Sequence, residues 1–298
     1  MSSSNATAPP RFSVLITVRD RTPLLEQCLG SLAACMGEAT GELVVVVDGG
    51  APEAMAMEGA VATREGWTHR FVGVPAGGPA RARNAVLPGL RGELVLFLND
   101  DVRFEPGLLA AHDHAHRARP GHAVMGNTRW APEVIDSEFM HWVAHHDSFY
   151  YLVPAAQEAS WEYFHTMNLS LDRRWIDEGA RFDEAFPFPA FEDTELGLRL
   201  WNQGMRLTMA WDAVLYHIHH FTPAQYVEKS RERGRSAHRF CQIFPDLEER
   251  IVGEYHSILQ QSRGWKSRLE RWIGAEDPLE HWQREIAAAF VEGYKQGI

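Results

Sequence analysis

Residues Glu93 to Asp101 read ELVLFLNDD. An apolar run this short and this unbroken predicts a strand buried on both faces, stopped by Asn99-Asp100-Asp101. Toward the N-terminus, Phe12 to Val18 (FSVLITV) and Leu43 to Val47 (LVVVV) read the same way, and Arg70 to Val74 is a weaker strand. Asp48-Gly49-Gly50 stops the second of these. Helical patterns lie between them. Thr22-Pro23 opens one, with Thr22 as cap and Pro23 in the first turn, and Leu24, Leu25, Cys28, Leu29 and Leu32 repeat along it. Residues 79–90 form another. Strands alternating with helices predict an α/β fold with a parallel sheet covered on both faces. Ligands of such sheets lie outside the carboxyl ends of the strands, near the switch in strand order. Those ends carry Arg19-Asp20-Arg21, Asp48-Gly49-Gly50 and Asn99-Asp100-Asp101.

Toward the C-terminus the pattern is mixed. Aromatic residues gather at Trp142, Phe149, Tyr150, Tyr151, Trp161, Tyr163 and Phe164, and prolines punctuate Phe186-Pro187-Phe188-Pro189. Glu192 to Gln203 predicts an amphipathic helix with Leu196, Leu200 and Trp201 on its buried side and Gly204 as its stop. Leu207 to Tyr216 is strand-like and runs into His217. Residues 222–298 read as helices, with Trp265, Leu269 and Trp272 recurring beside Lys266, Arg268 and Arg271. The expected organisation is a flexible tail over 1–11, an α/β domain over 12–221 and a helical extension over 222–298.

Composition narrows the function classes. The 298 residues carry 29 Lys and Arg against 40 Asp and Glu, a net charge of −11, which argues against nucleic-acid binding. A hydrophobic fraction of 45% belongs to a globular chain, not a disordered one. Cys28, Cys35 and Cys241 show no CxxC spacing and suit a reducing compartment. The opening MSSSNATAPPR has no apolar stretch of the signal-peptide kind, and no run approaches the roughly 18 apolar residues of a membrane span. A cytoplasmic protein is expected. Glu228 to Arg239 sets Lys229, Arg231, Arg233, Arg235 and Arg239 against Glu228 and Glu232. That basic stretch could meet lipid phosphate, an anionic acceptor or a second copy of the chain, although a solvated helix face is the simpler reading.

Four constellations carry chemistry. Asp100 and Asp101 repel each other unless something positive joins them, and a divalent cation does so, with substrate phosphate oxygens completing its shell. A surface turn is the plain alternative. Glu192 and Asp193 at a helix start favour the helix dipole, or supply a general base. In His217-Ile218-His219-His220, alternation puts His217 and His219 on one side, so either could complete a metal site. Gly77-Gly78-Pro79-Ala80-Arg81-Ala82-Arg83-Asn84 allows close backbone approach and offers two arginines, yet it is neither a Walker loop nor a dinucleotide fingerprint. His112, His114 and His116 are expected on an exposed helix. His141 to His145 lacks the glutamate of a zinc protease, and no Gly-x-Ser-x-Gly is present.

Taken in order, SVLITVRDR, ELVVVVDGG, GPARARN, GELVLFLNDDV, HTMNLSLDRR, FDEAFPFPAFEDTELGLRLWNQG and AVLYHIHH resemble the inverting nucleotide-sugar glycosyltransferases of family 2. The resemblance covers residues 12–221. It implies a GT-A fold, a Rossmann-like mixed and mostly parallel sheet flanked by helices, with the C-terminal helices as an appendage. It also implies a nucleoside diphosphate sugar donor, a glycan, lipid-linked or other hydroxyl acceptor, and Mn²⁺ or Mg²⁺. Thr17 and Arg19 would line the nucleotide pocket, Asp48 would accept a hydrogen bond from the base, and Arg83 would contact the nucleotide, with Arg81 as alternative. Asp100 would sit near ribose or metal waters. Asp101 would bind the metal with His217, His219 being second choice. Asp193 would be the base, supported or replaced by Glu192, and Asn168 would touch a sugar. Three positions depart from the family pattern: Arg19 for an aromatic, Val47 for the first acid of a DD pair, and Asn99 for the first acid of DXD. A nucleotidyltransferase acting on a sugar phosphate and a non-catalytic nucleotide-sugar-binding module are the rival readings.

Overall fold

A computed structural model of the chain describes residues 9–20, 22–37, 39–62, 64–146, 158–262 and 277–297. β1 (Phe12–Val18), β2 (Gly41–Asp48), β3 (Trp67–Val74) and β4 (Leu94–Asn99) are the four expected strands, β3 being longer than its weak apolar pattern suggested. They pair in parallel in the order β3-β2-β1-β4. The unbroken valine run of β2 has a physical cause: both its faces are covered. Val44 and Val46 pack with Ala80, Ala82 and Val86 of one core, whereas Leu43, Val45 and Val47 pack with Leu25, Cys28 and Leu32 of another. These partners come from α3 (Gly78–Val86) and α1 (Thr22–Cys35). Short α2 (Pro52–Ala56) follows β2.

The chain order reverses between β1 and β4, and Thr17 marks the spot, with Val46 as its partner on one side and Asn99 on the other. Beyond β4 the sheet changes character. β5 (Val102–Phe104), β6 (Ala123–Trp130), β7 (Asn168–Asp172) and β8 (Leu207–His217) complete eight strands in the order β3-β2-β1-β4-β7-β6-β8-β5. β7 runs antiparallel to β4 and β6, β5 antiparallel to β8, and β6 parallel to β8. The mixed stretch of sequence thus builds the second half of one sheet. α4 (Leu108–Ala118) packs on it.

The sheet belongs to a compact unit formed by Met1–Ala131, Phe149–Phe182 and Leu196–His219, while Pro132–Ser148, Asp183–Glu195 and His220–Ile298 form a second. In the second unit α5 (Glu138–His146) contributes Phe139 and Trp142 to an aromatic cluster with Tyr226 and Trp282. Between α5 and the next long helix lie α6 (Arg173–Asp177) and α7 (Glu192–Asn202). α8 (Pro223–Ile243) starts on a capping box of Thr222 and Gln225, and is followed by α9 (Glu248–Gln261) and α10 (Pro278–Gln296). α8 and α10 cross at two glycines. A Cβ on Gly234 would meet the Phe290 carbonyl oxygen, and one on Gly293 the Arg231 carbonyl oxygen, both at 2.0 Å. The basic stretch of α8 engages partners within its own unit: Arg231 pairs with Glu228 and Glu292, Arg239 with Asp183, and Lys229 lies over the Phe221 ring.

Arg11, placed by the sequence in the tail, is held by Glu93 and Asp113, each at 2.6 Å. The rest of the tail up to residue 8, together with Arg21, Phe149 to Tyr151 and the Trp265–Trp272 pattern, lies outside the described residues.

Candidate active site

β4 and β8 deliver the acidic and imidazole groups to each other. After β4 the chain turns through Asp100 and Asp101, both buried, and enters β5. Val102 then pairs with His217, and the Ile218 amide donates to the Asp101 carbonyl oxygen at 2.9 Å. This backbone pairing brings the side chains together. Asp101 Oδ2 lies 3.5 Å from His217 Nε2 and 3.4 Å from His219 Nδ1. Both histidines that the alternation placed on one side face the same carboxylate oxygen. His217 is buried and packs edge-on against Trp130, with ring centroids 4.7 Å apart.

The carboxylate is a donor that Mn²⁺ and Mg²⁺ both accept, whereas the two imidazoles suit a transition metal better than Mg²⁺. Among the described residues, no group of three or more His, Cys, Asp or Glu side chains is arranged to hold a metal ion. A cation bound there would meet Asp101 and its histidines as a partial shell only. Burial first, and then the charges of Asp100 and Asp101, push the neighbouring Cys28 thiol well above its ordinary pKa.

The other expected nucleotide residues are placed as follows. Thr17 sits at the switch in strand order and Arg19 is exposed just beyond it. Asp48, buried at the end of β2, accepts the Gly77 amide at 2.8 Å and the Gly78 amide at 3.1 Å. Its charge is thereby spent on the start of α3. Arg83 is buried in α3 with its guanidinium 5.2 Å from the centre of the Phe182 ring. The adjacent Asn84 exchanges two hydrogen bonds with the Phe182 backbone.

In the second unit, Glu192 and Asp193 open α7. Asp193 Oδ1 accepts the Thr194 amide at 2.8 Å, and Glu192 is buried. The residue before them, Phe191, has φ of 68°, and is the non-glycine residue with positive φ among those described. For a bulky side chain this is a strained conformation of the sort that collects at functional sites. Nothing in the sequence announced it. Its ring packs 5.4 Å from that of Phe240.

One expectation is corrected. His112 and His116 do not sit on an exposed face of α4; they are buried against β7. His112 bridges Ser170 Oγ at 2.8 Å and Asn168 Oδ1 at 2.9 Å, and His116 Nε2 lies 2.8 Å from Ser170 Oγ. Burial pushes His112 down to about 4 and, with the repulsion of His112 added, His116 down to about 3. Both are neutral. Their spacing from Leu108 and Leu109 was the available signal, for all four share one helix face. Asn168, expected beside a sugar, is fully buried, with its amide nitrogen donating to the Ala213 carbonyl at 2.9 Å.

The family model described as Glycosyltransferase like family 2 matches residues 9–237. No curated protein sequence matches the chain. Among solved structures, the chain is similar to the mannosyltransferase PcManGT from Pyrobaculum calidifontis in complex with GDP-Man and Mn²⁺, with a TM-score of 0.62 and 16% identity over 97% of this chain and 87% of that one. It is also similar to S. aureus TarS 1-349 in complex with UDP, with a TM-score of 0.56 and 14% identity over 96% of this chain and 90% of the other. The complex of the same protein with UDP-GlcNAc gives 0.56 and 15%, over 96% and 91%. At these identities the likeness is one of fold, and the fold is GT-A.

Proposed function

The chain belongs to glycosyltransferase-like family 2, and on that premise we propose that it moves a sugar from a nucleoside diphosphate sugar to an acceptor hydroxyl with inversion. The observation that carries the reading is Asp101, buried at the end of β4 beside the switch in strand order and flanked by His217 and His219. Asp101 and His217, with His219 beside them, would hold a divalent cation, Mn²⁺ or Mg²⁺. When bound, the cation neutralises the charge of the departing diphosphate. Thr17 and Arg19 line the nucleotide side, Asp100 stands toward ribose or metal waters, and Arg83, with Arg81 as alternative, meets the nucleotide. Asp48 acts by holding Gly77 and Gly78 at the start of α3, where the backbone can come close to a phosphate.

Asp193 takes the proton of the acceptor hydroxyl as its oxygen attacks the anomeric carbon, while the bond to the diphosphate breaks on the opposite face. One base and one displacement invert the configuration. Glu192 positions the acceptor. Three buried cysteines without a disulfide fit a reducing, cytoplasmic setting. Among the described residues no helix is long and apolar enough to cross a membrane. Peripheral contact with lipid or with a second copy through α8 would be read by liposome co-sedimentation and by sedimentation velocity.

The test is a set of nucleoside diphosphate sugars incubated with the protein and Mn²⁺. Release of nucleoside diphosphate, by slow hydrolysis or by transfer, is expected. Release of pyrophosphate would instead indicate a nucleotidyltransferase, and tight binding with no product a binding module. In Asp193→Asn, transfer is expected to fall by about 10²- to 10⁴-fold while donor affinity stays near wild type.

A further inference from the structure

β6 and β8 run parallel, and their register breaks at one place. Gly126 pairs with Ala210, yet the next residue, Asn127, pairs with Val214. Trp211, Asp212 and Ala213 are therefore extra residues on β8. An odd number of extra residues reverses the alternation of a strand. The core records the reversal. Ala210, Ala213 and Leu215 lie in one buried cluster, whereas Leu207 lies in the cluster on the other face with Met209 against it. The two-residue step from Ala213 through Leu215 reaches His217. Were these residues in regular alternation, the same step from Ala210 would pass Asp212 and Val214 and reach Tyr216, which instead lies beneath the Arg103 guanidinium.

Two side-chain amides hold the insert. Asn127 Nδ2 donates to the Trp211 carbonyl at 3.1 Å, and Asn168 Nδ2 donates to the Ala213 carbonyl at 2.9 Å. Asn168 reaches that position because residue 126 is glycine, where a Cβ would stand 2.1 Å from Asn168 Nδ2. His112 fixes the other end of the same amide through Oδ1. Past the insert, the Ala131 amide donates to the His217 carbonyl at 3.0 Å and the Ile218 amide to that of Asp101 at 2.9 Å, which locks the new phase. We propose that Asn127 and Asn168 are positioning residues: by clamping the insert Trp211 to Ala213, they set the phase of β8 so that His217 and not Tyr216 faces Asp101.

The inference rests on the proposed metal role of Asp101 and His217, and its test separates the two. The readouts are amide hydrogen exchange at Ile218 and Ala131, and Mn²⁺ binding to the metal-free protein by electron paramagnetic resonance, at a temperature where circular dichroism shows every variant folded. In Asn127→Ala, exchange at Ile218 is expected to quicken and Mn²⁺ affinity to weaken, each about tenfold. Asn168→Asp keeps the acceptor facing His112 but loses the donor to Ala213, and should behave alike. Ser170→Ala, which breaks the histidine network but touches neither insert carbonyl, should lower the melting temperature and leave both readouts near wild type. Wild-type exchange at Ile218 and wild-type Mn²⁺ affinity in both asparagine variants would overturn the proposal. A wild-type protein that binds no Mn²⁺ would count against the metal reading alone, and the exchange rates would still decide the clamp.

Discussion

The two ends of the sheet are both acidic, and they handle their acids differently. At the amino end of β1 and β2, Glu42 is buried and accepts from Ser13 Oγ at 2.6 Å and from the Arg91 amide and Nε. Nearby, Arg11 holds Glu93 and Asp113, and Arg117 also holds Asp113. At the carboxyl end, Asp48 faces backbone amides and Asp101 faces imidazoles. An arginine keeps its charge at any working pH and fixes its partner in place. An imidazole is a weaker companion that can turn to a metal instead. Carboxylates thus face arginines at one end, and backbone amides or imidazoles at the other.

The sharpest way to break this comparison is Asp101→Asn. Transfer should fall about a thousandfold, near 4 kcal/mol of transition-state stabilisation, with a melting temperature close to wild type. A large loss of stability with little loss of activity would place Asp101 with the structural acids. The next effect lies between the two ends, at His112. Its folded-state pKa is about 4, below that of the unfolded chain, so the unfolded state takes up a proton first. Stability is therefore full above pH 6.5, falls by about 3 kcal/mol as pH drops toward 4, and changes little from this group below that. Urea unfolding against pH should show this slope in the wild type and a shallower one in His112→Gln. Third, Glu42→Ala should cost about 2 kcal/mol of stability and leave transfer by the remaining folded protein unchanged, because the lost hydrogen bonds are far from the donor. The smallest effect is expected of Arg117→Ala. Its ion pair with Asp113 is exposed, and denaturant midpoints should report less than about 0.5 kcal/mol.

Legibility from sequence followed burial. β1, β2 and β4 were readable because both their faces are covered, which writes an apolar code at every position. β6 was not, since Gly126, Asn127 and Thr128 are buried for reasons outside hydropathy: one leaves room for an amide and another supplies one. The acids and histidines of the site were readable as residue types at strand ends. Their convergence on Asp101 was expected only through the family resemblance, because the geometry behind it depends on three extra residues in β8 that look like ordinary strand. His112 and His116 were misplaced because a buried polar network resembles a solvated face until its partners on another element are known. Phe191 was invisible, since positive φ in a bulky residue is imposed by packing and leaves no mark in the sequence.

The glycine crossing of α8 and α10 also bears on how the chain assembles. Gly234 and Gly293 are separated by about sixty residues, so their contact closes a long loop, and that entropy must be recovered before the helix pair gains anything. α8 can form early from its own capping box, but its glycine face stays open until α10 returns to it. The loop that this contact closes contains α9, and the entropic cost of lengthening that loop would grow slowly, by about 0.6 kcal/mol for each doubling.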